Sequence, residues 1–211
     1  MRRLSFLDKV IDEIDIYRKF SKIPLNSTRK SPGKSVIDGK LSEKDKKHSA
    51  GLMRVDYTGE ICAQGLYRGQ ASVAKLPQTK EHLYHAADEE YDHLAWCGER
   101  LQELGAKPSL FNPFWYWASF GIGAVAGSIS DSLSYGFVVE TEKQVMKHLD
   151  SHLKSLPIND NRSREILKQM YIDESNHAVA AEKAGGQKLP VIVRVIMKIQ
   201  SKVMTTIAYR I

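Results

Sequence analysis

Glu90-Tyr91-Asp92-His93 and Glu174-Ser175-Asn176-His177 are two Glu-x-x-His elements in one chain of 211 residues. Each follows a lone glutamate at nearly the same interval, Glu60 standing 30 residues before Glu90 and Glu142 standing 32 before Glu174. One such element means little, because thirteen Glu and seven His give about half of one match by chance. Two at matched spacing form the ligand set of a carboxylate-bridged two-metal centre inside a helical bundle. Positions i and i+3 share a helix face, so each Glu points with its His.

Working outward, Leu76-Pro77 lies between Glu60 and Glu90, and Leu156-Pro157 lies between Glu142 and Glu174. Proline removes a helix donor and marks a turn, so each half reads as a helix, a turn and a returning helix. Glu60 is 17 residues before Pro77 and Glu90 is 13 after it, while Glu142 is 15 before Pro157 and Glu174 is 17 after. At about 1.5 Å of rise per residue, each hairpin returns its second glutamate to roughly the height of its first. Six side chains then converge between four helices, and the fold is all-α, with no strand-period segment of useful length. Glu140 competes with Glu142, but the 32-residue interval matches the first half better.

Four carboxylates and two imidazoles suit iron or manganese rather than a thiolate-held structural zinc. Two iron(II) ions carry four positive charges, which four glutamates balance, so the set suits a pair of iron ions that changes oxidation state. The competing reading of a single Glu-x-x-His is a surface pair on a solvated helix, which the doubled constellation outweighs. His82 with His85 and His148 with His152 also have helical spacing but lack partners in the other half, and read as surface, outer-layer or proton-handling groups. Of these, His148 is the best outer-layer candidate. Asp173 precedes a ligand and is placed to orient a histidine, and Tyr57, one turn before Glu60, is placed to line the site.

Composition is that of a folded protein, 42% hydrophobic and 27% charged, and the length fits one domain. Only Cys62 and Cys97 occur, which argues against a disulfide framework. The net charge of +6 is concentrated between Arg18 and Lys47, where ten Lys or Arg face Asp38, Glu43 and Asp45. Nucleic acid is a poor partner for this stretch, which lacks aromatic interleaving beyond Phe20; a solvated linker and a lipid-facing role stay open. Residues 5–20 predict a short amphipathic helix, and Asp8, Asp12, Glu13 and Asp15 within it argue against a transit peptide. No apolar signal-peptide core follows Met1, so the chain reads as mature or already trimmed. Residues 21–41, with Pro24, Pro32, Gly33 and Gly39, predict an extended or mobile connection.

Ser42 and Asp45 form a capping-box pattern opening a helix to about Lys75, whose Gly59, Gly65 and Gly69 imply close packing or room beside the metals. Thr79 is the expected cap of the next helix and Gly105 its end. Asp131 starts another helix to about Leu156, residues 159–161 cap the one after, Gly185-Gly186 closes it, and Pro190 begins a basic, apolar last helix. Pro108 to Ser130 is 23 residues without a charge, long enough to suggest a membrane span. Glycines and polar residues dilute it, and a span would pull the two hairpins apart, so an interfacial or substrate-covering helix is preferred. With the basic stretch and the last helix it forms a membrane-facing side, through which a lipid-soluble substrate would reach the metals.

Arg54-Val55-Asp56-Tyr57-Thr58-Gly59-Glu60, Glu90-Tyr91-Asp92-His93, Val139-Glu140-Thr141-Glu142 and Asp173-Glu174-Ser175-Asn176-His177 resemble, in order and spacing, the Coq7 family of ubiquinone-biosynthesis hydroxylases. The resemblance covers about residues 42–211 and implies a ferritin-like four-helix bundle of two hairpins with a long apolar crossover, plus N- and C-terminal amphipathic helices. Residues 1–41 then form an N-terminal amphipathic helix and basic linker ahead of a di-iron hydroxylase domain. The resemblance implies that Glu60, Glu90, His93, Glu142, Glu174 and His177 hold two iron ions. It implies oxygen-dependent hydroxylation of a demethoxylated polyprenyl quinone or quinol, with electrons from reduced quinone or NADH. It also implies O2 as co-substrate, partner proteins of ubiquinone biosynthesis, and a peripheral position on the cytoplasmic face of a bacterial inner membrane or the matrix face of the mitochondrial one. The tract Lys143 to Leu149 departs from relatives that carry a tyrosine after the histidine. A ferritin-like iron-storage shell is the alternative, against which the aromatic crossover and basic apolar terminus argue.

Overall fold

The computed structural model describes residues 6–20 and 25–211, and among these every regular element is helical. Ser5, at the predicted start of the first helix, and Lys22 and Pro24 of the predicted connection lie outside the described residues. Helix α1 is Phe6–Phe20, α2 Glu43–Val73, α3 Pro77–Glu103, α4 Asn112–Ile129, α5 Asp131–Ser155, α6 Asn161–Lys183 and α7 Val191–Ala208. The most extensive helix contacts are α2 with α4, α2 with α3 and α5 with α6, and the two hairpins meet through smaller contacts of α2 with α5 and α3 with α6. Two antiparallel hairpins thus stand side by side as a four-helix bundle, the expected ferritin-like architecture.

Local chemistry sets the boundaries. Ser42 and Asp45 make a reciprocal capping box, Ser130 accepts from the Leu133 amide to open α5, and Asp160 accepts from the Ser163 amide to open α6. Thr79 is not the cap of α3. The helix starts at Pro77, whose preset φ and missing N–H suit a first position, with Leu76 before it, and Thr79 is buried in the first turn. Gly105 and Gly185 end α3 and α6 at φ of +72° and +99°, where glycine meets no Cβ penalty. Asp131 accepts from the Lys75 and Leu76 amides at 3.0 and 2.9 Å, tying the turn of one hairpin to the start of the other.

The crossover α4 lies along α2 at backbone contact. A Cβ on Gly65 or Gly69 would overlap the carbonyls of Tyr116 or Phe120, and one on Gly123 the carbonyl of Leu66. The opposite face of the same helix leaves Phe114 60% and Val125 65% exposed. Gly59, by contrast, has open space beside it. Close packing therefore explains two of the three α2 glycines, and room explains the third. Among the described residues no helix is long and apolar enough to cross a membrane.

The N-terminal part is fastened to the bundle. In α1, Glu13 accepts from Arg68 at 2.6 and 3.1 Å and from the Tyr116 hydroxyl, and Phe20 is in the main core with Tyr57, Trp96 and Tyr116. Residues 25–41 form no regular element, and they are pinned rather than mobile: they turn at 32–35, where the Lys34 and Val36 amides donate to the Ser31 and Gly33 carbonyls. Asp38 accepts from Arg100 at 2.7 Å and from the Arg162 amide at 2.9 Å, while the buried Arg100 also reaches Asp160 at 2.8 Å. The tyrosine expected at the metals, Tyr57, is buried but donates its hydroxyl to the Phe20 carbonyl at 2.9 Å.

Candidate metal centre and the cavities beside it

One side chain from α2, two from α3, one from α5 and two from α6 meet at mid-bundle, and they are Glu60, Glu90, His93, Glu142, Glu174 and His177. Every residue of the expected set is brought together. Their donor atoms form two groups that share members, Glu60, Glu90, His93 and Glu174 in one, and Glu90, Glu142, Glu174 and His177 in the other. His93 Nδ1 lies 2.8 Å from Glu90 Oε2 and 3.2 Å from Glu174 Oε1. His177 Nδ1 lies 2.9 Å from Glu90 Oε1 and 3.4 Å from Glu174 Oε2. Each of Glu90 and Glu174 thus turns one oxygen toward each histidine, the arrangement of a carboxylate bridging two positions. Glu60 belongs to the first group alone and Glu142 to the second alone. Glu140, the competitor of Glu142, instead accepts from Gln144 at 2.9 Å.

These atoms are close without being aligned as hydrogen bonds. Both Glu90 oxygens, His93 Nδ1, Glu142 Oε1, Glu174 Oε2 and His177 Nδ1 are buried with no hydrogen-bond partner. Orphaned buried polar atoms are costly, and six of them facing one point fit a pair of cations. The protonation pattern agrees. Burial raises Glu60 and Glu142 well above the usual carboxylate range, and the neighbouring carboxylates add to it. Burial would also raise Glu90 and Glu174, but His93 and His177 hold both below that range. Burial opposes a charged His177, yet Glu90 and Glu174 lift it to about 12, and His93 is likewise raised well above its ordinary value against burial. The cluster thus resists holding its four carboxylates as bare negative charges and draws on the positive charge of its histidines, the role that a pair of cations would take over.

A second layer stands behind each imidazole. His93 Nε2 lies 2.9 Å from Asp173 Oδ2, as expected of an orienting carboxylate. Asp173 also accepts from Arg29 at 2.9 Å and from Gln169 at 2.9 Å. Arg29 in turn donates to Asp92 at 3.0 Å and lies over the Trp96 ring at 4.7 Å. The backbone and hydroxyl of Thr28 hold the same Asp92, at 2.6 and 2.8 Å. On the other side, His177 Nε2 lies 3.1 Å from Glu89 Oε2. The acid before each bridging glutamate therefore serves the histidine of the opposite hairpin.

Two cavities reach the centre. The first, between α2, α4, α5 and α7, has Glu60 and Gly59 on its inner wall and mainly apolar side chains elsewhere, among them Leu66, Trp115, Ile122 and Met204. The second has His177 and Glu89 on its wall, with His82, His85 and Asn176. His148, expected behind a ligand, lines the first cavity instead and bonds Ser201 at 2.8 Å. Its neighbour His152 pairs with Asp56 at 2.7 Å.

Residues 47–208 match the family model described as ubiquinone biosynthesis protein COQ7. The chain belongs to the COQ7 family. Proteins named 3-demethoxyubiquinol 3-hydroxylase from Francisella tularensis subsp. tularensis (strain WY96-3418) and subsp. novicida (strain U112) are each 84% identical to it over 210 residues. The corresponding protein of subsp. holarctica (strain LVS) is 83% identical, and all three matches cover 100% of both chains. In this COQ7-family chain the stretch Arg54 to Glu60 does separate work at each step. Arg54 donates to the carbonyls of Lys107 at 2.8 Å and Tyr209 at 3.0 Å, closing off the end of α7, and Thr58 donates to Asn112 at 2.9 Å, anchoring α4. Asp56 fixes α5 through His152, and Glu60 joins the cluster.

Sequence reasoning missed Arg29, Asp92 and Glu89. For Glu89 a signal existed, since Glu89-Glu90 repeats the acid-glutamate order of Asp173-Glu174. Arg29 carried none, being one cation among ten in a basic stretch.

Proposed function

We propose that the chain is an oxygen-dependent di-iron hydroxylase acting on the ring of a demethoxylated polyprenyl quinol in ubiquinone biosynthesis. Residues 42–211 form the hydroxylase domain, braced by α1 and residues 25–41. The observation that carries this reading is the position of Glu60, which belongs both to the carboxylate-histidine cluster and to the wall of an apolar cavity. A substrate in that cavity would meet the centre without crossing water. The name 3-demethoxyubiquinol 3-hydroxylase, borne by relatives matched over their whole length, supports the substrate class and does not favour iron storage.

In this reading Glu60, Glu90, His93, Glu142, Glu174 and His177 would hold the two iron ions. Bound iron supplies the activation of O2 and the electron transfer that side chains alone lack. Each ring hydroxyl consumes one O2, two electrons and two protons and releases one water, the electrons coming from reduced quinone or NADH. The protein's own part is placement and exclusion. Gly59 leaves space where a side chain would stand between ring and metals, while Leu66, Trp115 and Ile122 keep water away from the reacting carbon. The polar lining, Gln144, His148 and Ser201, offers donors and acceptors to the ring oxygens.

The cavity is flanked by α4 and α7, both with exposed apolar faces. On α7, Ile192, Ile196, Ile199 and Val203 are 65, 55, 61 and 48% exposed, on a helix that also carries Arg194, Lys198 and Lys202. A basic helix with a bare apolar stripe suits the surface of an anionic membrane. We therefore place the protein peripherally, on the cytoplasmic face of a bacterial inner membrane, with α4 and α7 toward the lipid and prenyl chains entering between them. Incubating iron-loaded protein with a demethoxylated quinol, a reductant and O2 is expected to yield the hydroxylated ring. Absence of that product, with accumulation of many irons per chain, would reverse the assignment.

A further inference from the structure

The two second-layer carboxylates occupy equivalent positions and differ in access. Asp173 is 14% exposed, with Arg29 and Gln169 fastened to it. Glu89 is 45% exposed and lies 3.3 Å from Nδ1 of His85, itself 70% exposed. His85 and Glu89 are four residues apart on α3 and so share a helix face. With His82 and Asn176 they line a cavity of about 290 Å³ whose inner wall includes His177. A water molecule needs roughly 10–15 Å³ on this scale, so the cavity holds an ion together with its hydration shell.

The cavity at Glu60 offers no such route. Its imidazole and its outer carboxylate are engaged elsewhere, His148 with Ser201 and Asp56 with His152, and between them stand Leu66, Trp115 and Met204, against which a cation shedding its water would be a poorly compensated charge. The wall at His177 instead presents imidazole and carboxylate in sequence from solvent inward. His85 comes first, Glu89 next, and then His177, whose Nδ1 is buried with no hydrogen-bond partner. These groups are the exchange partners that an iron-group ion accepts in place of water.

We propose that this cavity, along the row of His85, Glu89 and His177 on its wall, is the port through which divalent cations enter and leave the centre, with His85 and Glu89 as their first ligands. The inference rests on the metal reading of the cluster. The ion exchanges water for His85 and Glu89 with no change of oxidation state. Glu89, in taking the ion, frees His177, and as the ion moves on to Glu142, Glu90 and Glu174 the protons held by His177 and these carboxylates leave to solvent, so that the Nδ1 of a neutral His177 joins the carboxylates around it. His93 cannot serve in this way, being fully buried and held through Asp173 by Arg29. The position beside His177 is therefore the outer one, and the position beside His93 is filled through it.

Rapid mixing of the metal-free full-length protein with Co(II), a coloured stand-in for the divalent ion, tests the port. In the double variant His82→Ala/His85→Ala uptake is expected to slow roughly tenfold, the low end of what the loss of an outer partner of a metal site costs. Saturation is expected to stay at two Co(II) per chain, and chelator-driven release to slow by the same factor, leaving affinity unchanged. His85→Asp, which restores a cation ligand, is expected to recover most of the rate. Unchanged uptake in the double variant, or a drop in saturation below two, overturns the port, as does failure of His85→Asp to recover any rate. Wild-type protein that binds no Co(II) would instead overturn the metal reading and the port with it.

Discussion

Behind His93 stands Asp173, gripped by Arg29 and Gln169; behind His177 stands Glu89, nearly half exposed and shared with His85. The hairpins supply matching ligands, so the asymmetry lies one layer out, in what the rest of the chain does with two equivalent acids. Residues 25–41 fold across α3 and α6 and close one side. Nothing of that kind covers the other side among the described residues, and a cavity with His85, Glu89 and His177 on its wall occupies it. A symmetric motif thus produces one locked and one accessible position.

The strongest way to break the comparison is to remove a residue common to both positions. Glu174→Ala is expected to abolish binding of both ions, a loss above the roughly 100-fold seen for outer partners, whereas Glu60→Ala and Glu142→Ala should each spare one position; metal analysis after dialysis distinguishes them. The second layer sharpens it. Asp173→Asn should weaken Co(II) binding by about 10- to 100-fold, and Glu89→Gln by less, because water can replace Glu89 at the partly exposed His177 but cannot reach His93. Equal losses in competition titrations would show that access has no part in the difference. Arg29→Ala, one step further out, should cost about tenfold, alter the spectrum of the bound Co(II), and be largely restored by Arg29→Lys.

A histidine-carboxylate pair away from the metals gives the smallest effect and a control. Burial opposes a charged His152, but Asp56 raises its pKa, and His148 beside it is lowered by burial and so neutral near pH 7. A raised folded-state value means the pair's stabilisation is complete below the unfolded value near 6.5 and is lost as pH rises through the folded one. Melting temperature should therefore fall on the alkaline side of neutrality, with a slope of at most about 1.4 kcal/mol per pH unit for one proton, and His152→Gln should remove that contribution. A profile identical in the variant would show the pair to be uncharged.

The ligands and the hairpins were legible because a metal site fixes residue type, spacing and face together. Two Glu-x-x-His elements and two Leu-Pro turns leave few other arrangements. The crossover was half legible: its length and lack of charge were plain, but the register that sets Gly65 and Gly69 against Tyr116 and Phe120 depends on how two helices meet. Arg29 was illegible for the same reason, since its partners Asp92 and Asp173 lie 63 and 144 residues away. His148 was misplaced behind the ligands because helical spacing gives a face and not the neighbour across it, which is Ser201 of α7.

The contact of α2 with α4 divides the tolerance of a single helix to change. Where main chain rests on main chain, at Gly123 against Leu66 and Gly127 against Gln70, even alanine forces the helices apart, so these sites admit no gradual drift. A few ångströms away, Phe114, Val125 and Ile129 face outward and can be exchanged for other apolar residues without disturbing the fold. A change in what this surface meets would therefore rewrite only the outer half of α4, while the inner half records the geometry that holds α2 and, with it, Glu60 in place.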